Sequence, residues 1–363
     1  MAFTQTLAIP RKKTEKVDMA GPLNKYLQEQ YGKVMADNFQ GKVAELQRLR
    51  NAIQLSSMDR PSHAKYLQAL DAMVVRNWKI GKGDLNLSFK WYDAFKTSKA
   101  YSAQDYPLEK ASIMWNFGAL ISEEACKMDR GTSVGLARAS NAFQEAAGMF
   151  AEAGKEASKL DPTILDLSPD CLSAVELLLL AQAQECEYLK TKTENPGPSD
   201  EDTAKLLSEL AEQVVIMCTN ACNALSSSYL ASVKEVKEKW TATLSFKSRL
   251  YRIEALRQLA KAQEIEKQIG PQVALLLRAK QDMSELIKVA KSFGKSMEGE
   301  MERYQREVDE YHHDANERYR NNFSVKQDVE ENISTTLEGE QRVGSRLPPD
   351  LKAAGKFSLF AGL

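Results

Sequence analysis

A chain of 363 residues in which 43% of side chains are hydrophobic and 27% charged is too apolar to be disordered and too charged to lie within a bilayer. Its 49 Lys and Arg stand against 50 Asp and Glu, a net charge of −1, which leaves no global field to draw in nucleic acid. The five cysteines, Cys126, Cys171, Cys186, Cys218 and Cys222, are odd in number and lack short-loop spacing, which points to a reducing compartment.

Residues 4–10 are extended in character, and Pro10 followed by Arg11, Lys12 and Lys13 argues against an immediate helix. Neither this stretch nor the apolar run Leu177 to Ala181 is long enough for a signal peptide or a membrane span, so a cytoplasmic protein is expected. Pro22 fits the first turn of a helix through Tyr31, and Val43, Leu46, Leu49 and Ile53 recur at spacings of three and four. A third helix is predicted after Pro61. From Leu85 to Trp91, Leu85, Leu87 and Phe89 alternate with polar residues, predicting a strand that pairs with the N-terminal extended segment in a small sheet. After Pro107 long helices follow, separated by turn signals at Asp129-Arg130-Gly131, Asp161-Pro162, Asn195-Pro196-Gly197-Pro198 and Gly270-Pro271. Alanines at close spacing, among them Ala139, Ala142, Ala146 and Ala147, let such helices pack closely as antiparallel hairpins of the tetratricopeptide kind. The predicted class is mainly α: a solenoid of helix hairpins with a small β-sheet near one end. One domain is expected over residues 1–363, with the sheet in 1–100, the helical core in 101–330 and an extended segment in 331–363 that docks on the body through Phe357, Leu359 and Phe360.

No catalytic or metal-binding constellation emerges. His63, His312 and His313 have no companion ligands at metal spacing; Cys218 and Cys222, one turn apart, read as small buried apolar residues. Gly81-Lys82-Gly83 is too short for a phosphate loop. The alternating charges from Glu298 to Glu310 read as a solvated helix face, and Tyr304, Tyr311 and Tyr319 as packing residues rather than phosphorylation targets. No cofactor and no enzymatic activity are expected.

Three segments occur in an order that is specific: Ser88-Phe89-Lys90-Trp91-Tyr92-Asp93-Ala94-Phe95, then Glu109-Lys110-Ala111-Ser112-Ile113-Met114-Trp115-Asn116-Phe117-Gly118-Ala119-Leu120, then Leu180-Ala181-Gln182-Ala183-Gln184-Glu185. With Phe143-Gln144-Glu145-Ala146-Ala147-Gly148-Met149-Phe150, they resemble the Bro-type domain of the Alix family across nearly the whole chain. The resemblance implies a boomerang-shaped helical solenoid and a non-catalytic scaffold. It also implies a concave face that binds the C-terminal amphipathic helix of an ESCRT-III subunit, of the Snf-seven or charged multivesicular body protein type, and recruitment to endosomes or other sites of membrane scission. The domain is expected to be a monomer.

Such a partner helix presents apolar residues at i, i+3, i+4 and i+7, and its receptor must offer exposed apolar residues in a groove. By the resemblance Leu206 and Leu210 are the aliphatic contact pair and Lys190 a basic contact; on spacing alone the two leucines read as core. Glu187 stands where the family has a phenylalanine, and Ser133, Ala137 and Asn141 where it has an acid and two lysines, so the charged rim of the groove is altered. The family's Phe-Ile-Tyr-His motif places its tyrosine at His312. A peripheral scaffold that meets a membrane surface through a basic patch including Arg11, Lys12 and Lys13 is the alternative.

Overall fold

Helix starts are written locally, by side chains that accept the amide hydrogens a helix leaves unpaired. In the computed structural model, which describes residues 5–81, 85–322 and 341–353, α1 spans Ala20–Tyr31 and α2 Lys33–Gln54. Gly32 between them takes φ +82°, a conformation only glycine adopts at little cost. Asp59 caps α3 (Arg60–Val75), Asp105 caps α4 (Tyr106–Lys127), and Thr132 caps α5 (Ser133–Ala157). Ser168 does the same for α6 (Pro169–Glu194) and Asp200 for α7 (Glu201–Ser227). Each side chain accepts from the backbone N–H three residues on, as an N-cap does. The chain continues through α8 (Thr241–Ile265), α9 (Ile269–Ala290) and α10 (Lys295–Asn322) to a short α11 (Pro349–Ala353).

From α4 to α10 each helix packs on the next. Alternate helices are also joined: Glu185 on α6 accepts from Lys247 and Tyr251 on α8, and Glu254 on α8 accepts from Tyr188 and Lys192 on α6 and from Tyr304 on α10. The result is a two-layered helical solenoid. Its core falls into two apolar clusters, a large one from the N-terminal segment to α8 and a smaller one among α8, α9 and α10.

The small sheet differs from its expected form. Its strands are β1 (Phe89–Tyr92) and β2 (Ala100–Ala103), antiparallel with Phe89 opposite Ala103 and Tyr92 opposite Ala100. The N-terminal segment contributes one isolated bridge, Thr14 to Trp91, and Leu85 bridges only to Ile80. Leu7 and Ile9 lie elsewhere because side chains satisfy their backbone: Leu7 N–H donates to Gln182 at 2.6 Å and Ile9 N–H to Ser122 at 3.0 Å. Phe357, Leu359 and Phe360 lie outside the described residues.

The proposed basic patch is also corrected. Lys12 is buried and paired with Asp166, and Arg11 is held by Glu123 at 2.6 Å, so of the three cations only Lys13 is exposed. Burial of an ammonium requires a partner charge, and Asp166 supplies it. Among the described residues no helix is long and apolar enough to cross a membrane.

Candidate functional site

The helical phase of α5, α6 and α7 decides which side chains this part of the solenoid presents. On α5, Ser133 and Ala137 are half-buried and Asn141 is exposed; on α6, Glu187 and Lys190 are half-buried. Leu206 on α7 is half-buried, packed against the large core. Leu210 is fully buried in that core. As folded it offers no surface to a partner, and the expected aliphatic pair is therefore reduced to Leu206. The four-residue step from Leu206 to Leu210 turns α7 by about 40°, enough to carry a side chain from the edge of a buried face into it.

Two exposed apolar residues on these helices were not anticipated. Val134, in the first turn of α5, is 68% exposed, and Ile216 on α7 is 37% exposed. The signal for Val134 was available: it follows a capping threonine, where a β-branched residue has nothing to pack against. Between Leu206 and Ile216 the outward positions of α7 include Glu209 and Glu212, and burial lifts the Glu212 carboxyl above its usual range. Glu187 and Lys190 lie 3.8 Å apart, so the acid that replaces an aromatic residue is partly neutralised by the neighbouring lysine. The α6–α7 side of the surface thus carries an acidic bias, and on the α5 side Arg138 is exposed on the same helix face as Val134 and Asn141.

An extended segment borders this surface. Residues 341–348 form neither helix nor strand and cross α5 and α6. Arg342 N–H donates to Gln184 Oε1 at 3.3 Å and Gly344 N–H to Gln144 Oε1 at 3.2 Å. Arg346 donates twice to Gln144, through its N–H to the carbonyl at 3.1 Å and through its guanidinium to Oε1 at 2.5 Å. Val343 is buried in the large core. A Cβ on Gly148 would stand 2.1 Å from the Arg346 carbonyl oxygen, so glycine is required where the segment passes over α5. Gln144 lies three residues from Asn141, and Gln184 three from Glu187, so the segment ends one helical turn from the candidate site on both helices.

The remaining candidates are structural. Burial depresses the His63 pKa to about 4, and its ring stacks on Phe117 at 5.1 Å between centroids. Tyr304 is buried against Glu254, and the Tyr311 hydroxyl meets Glu264 at 3.0 Å. The Cys218 thiol is pushed up to about 12 by burial, a value that keeps it protonated and unreactive. A cleft of about 500 Å³ between the α6–α7 turn, α8 and α10 is lined by Lys192, Glu254, Arg257 and Lys261. Its one carboxylate, Glu254, is held ionised near pKa 2: Lys192, Arg257 and Tyr304 outweigh the opposing cost of its burial. Glu254 is occupied by structural partners on α6, α8 and α10.

A family profile for the BRO1-like domain matches residues 6–332. The chain belongs to the BRO1-like domain family. Among relatives, it is 33% identical to ALG-2 interacting protein X of Dictyostelium discoideum over 82% of this chain and 37% of that protein. It is 32% identical to vacuolar-sorting protein BRO1 of Arabidopsis thaliana over 74% of this chain and 32% of that one. The chain therefore spans about a third of the length of these relatives. A solved structure described as an ALIX BRO1 CHMP4C complex superimposes with a TM-score of 0.84 at 21% identity, covering 99% of both chains. Another, concerned with endosomal targeting by the Bro1 domain, gives 0.74 at 18% identity over 96% of both. The boomerang-shaped solenoid with its small sheet is thus the BRO1-like fold.

Proposed function

We propose that this BRO1-like domain is a non-catalytic adaptor whose surface over α5, α6 and α7 receives an amphipathic helix from the C-terminal tail of an ESCRT-III subunit. The observation that carries the reading is end-to-end likeness to a domain solved in a complex with CHMP4C, combined with an exposed Val134 on α5 and a half-buried Leu206 on α7. Recruitment to endosomes follows from such binding. Completing the burial of Leu206 contributes about 1 kcal/mol, and Val134 about as much, which suits modest affinity once association costs are deducted. Glu187, Glu209 and Glu212 favour a partner helix whose α7-facing side is neutral or basic.

Titration with charged multivesicular body protein tail peptides tests this. Leu206→Asp is expected to weaken binding about tenfold, because burying an unpaired carboxylate at the contact costs more than the leucine contributed, and to lower the melting temperature only moderately, since Leu206 is half-buried. Leu210→Asp is unsuitable, since it places a charge in the core. Glu187→Lys is expected to strengthen binding of an acidic tail severalfold. Unchanged affinity in Leu206→Asp would place the contact elsewhere.

A further inference from the structure

We propose that Ser345 is a phosphorylation site for a basophilic protein kinase and that its phosphate unlatches residues 341–348 from α5 and α6. Ser345 is exposed within an extended segment, the form in which a kinase cleft takes its substrate. Arg342 three residues before it and Arg346 directly after it are the basic residues that carboxylates of such a cleft engage in place of their present partners. The kinase transfers the γ-phosphoryl group of ATP: the bond from Ser345 Oγ to phosphorus forms, the bond from phosphorus to the ADP oxygen breaks, and the hydroxyl proton passes to the kinase's base.

The consequence follows from what the hydroxyl does now. Ser345 Oγ donates to Glu176 Oε1 of α6 at 2.5 Å. Phosphorylation removes that donor and sets close to two negative charges against the Glu176 carboxylate. The Arg346 guanidinium is already committed to Gln144, and turning it toward the phosphate breaks that bond. Repulsion and re-pairing thus act in one direction, and the segment has no ladder of its own to hold it. Because Gln144 and Gln184 lie one turn from Asn141 and Glu187, release lengthens the open groove beside the partner site; this consequence alone rests on the function proposed above.

The test treats the whole chain with ATP and the catalytic domain of a basophilic kinase, locates the phosphate by mass spectrometry, and follows hydrogen exchange at the amides of Arg342, Gly344 and Arg346. Phosphate on Ser345 with about tenfold faster exchange at these amides is the expected result. In Glu176→Gln carrying the same phosphate, the acceleration is expected to fall to a fraction of that. A kinase that modifies a peptide of residues 340–349 but not the folded chain overturns the site, and a phosphate on Ser345 with unchanged exchange overturns the unlatching. Partner-peptide affinity measured on the same samples fails separately: faster exchange with unchanged affinity refutes only the link to the groove.

Discussion

His63 sits against Phe117 with its ring nitrogen 2.8 Å from the Asp59 carbonyl, and its depressed pKa makes it a determinant of acid stability. The unfolded chain protonates this ring near pH 6.5 and the folded chain only near 4, so acid favours unfolding between those values. The stability at stake is about 3 kcal/mol, present above pH 6.5 and lost as the pH falls through that window. Glu254 acts lower: its stabilisation is present above the unfolded pKa of 4.5 and disappears only as the pH approaches 2. Urea midpoints measured against pH are expected to fall from 6.5 to 4 in the natural chain and to flatten there in His63→Phe. Glu109 makes a different demand. It is buried, accepts from Tyr66 at 2.8 Å and Trp91 at 2.7 Å, and is ion-paired with the Arg50 guanidinium at 2.8 Å. Arg50→Met leaves that carboxylate without its countercharge and is expected to cost about 3–5 kcal/mol in chemical denaturation.

At the scale of elements, these side chains show why some of the sequence was legible and some was not. The motifs that carried the resemblance are ties between elements. In Leu180 to Glu185, Gln182 holds the N-terminal segment through Leu7, Gln184 holds the C-terminal segment through Arg342, and Glu185 holds α8 through Lys247. In the segment from Glu109, Asn116 brackets the backbone of Lys12 on both sides, at 2.7 and 3.0 Å. A buried polar group must match its partner in position and type, so such residues leave a readable pattern. The groove leaves none of that kind. Whether Leu206 or Leu210 faces outward depends on how α7 is rotated against α6, which no spacing rule within α7 states. Lys12 was misread for the same reason, since its partner Asp166 lies 154 residues away. Gly148→Ala isolates one tie. Alanine favours the helix by about 1 kcal/mol, but its Cβ meets the backbone of Arg346. Little change in melting temperature, with markedly faster tryptic cleavage after Arg346, is the expected outcome.

On the scale of the whole molecule, the division of the core sets how the solenoid comes apart. Phe246, Leu250, Ile253 and Leu256 of α8 pack with α9 and α10, while Leu244, Tyr251 and Ala255 join the large core. Leu286 and Met301 belong only to the smaller cluster, so α9 and α10 can open while α8 remains seated. Native-state hydrogen exchange is expected to group the amides of α9 and α10 in one unit of lower opening free energy than α4 to α7. A Met301→Ala variant is expected to lower that unit by about 2–4 kcal/mol and leave the protection of α5 unchanged.

The segment 341–348 also has a mechanical consequence. Tension on the chain beyond α11 is borne first by the contact of α11 with α3 and then by the hydrogen bonds to Gln144 and Gln184, before any helix of the solenoid is loaded. Those bonds stand in series with the pull, and the helices lie behind them. The segment therefore acts as a fuse: a modest load strips it from α5 and α6 and lengthens the chain while the solenoid stays folded.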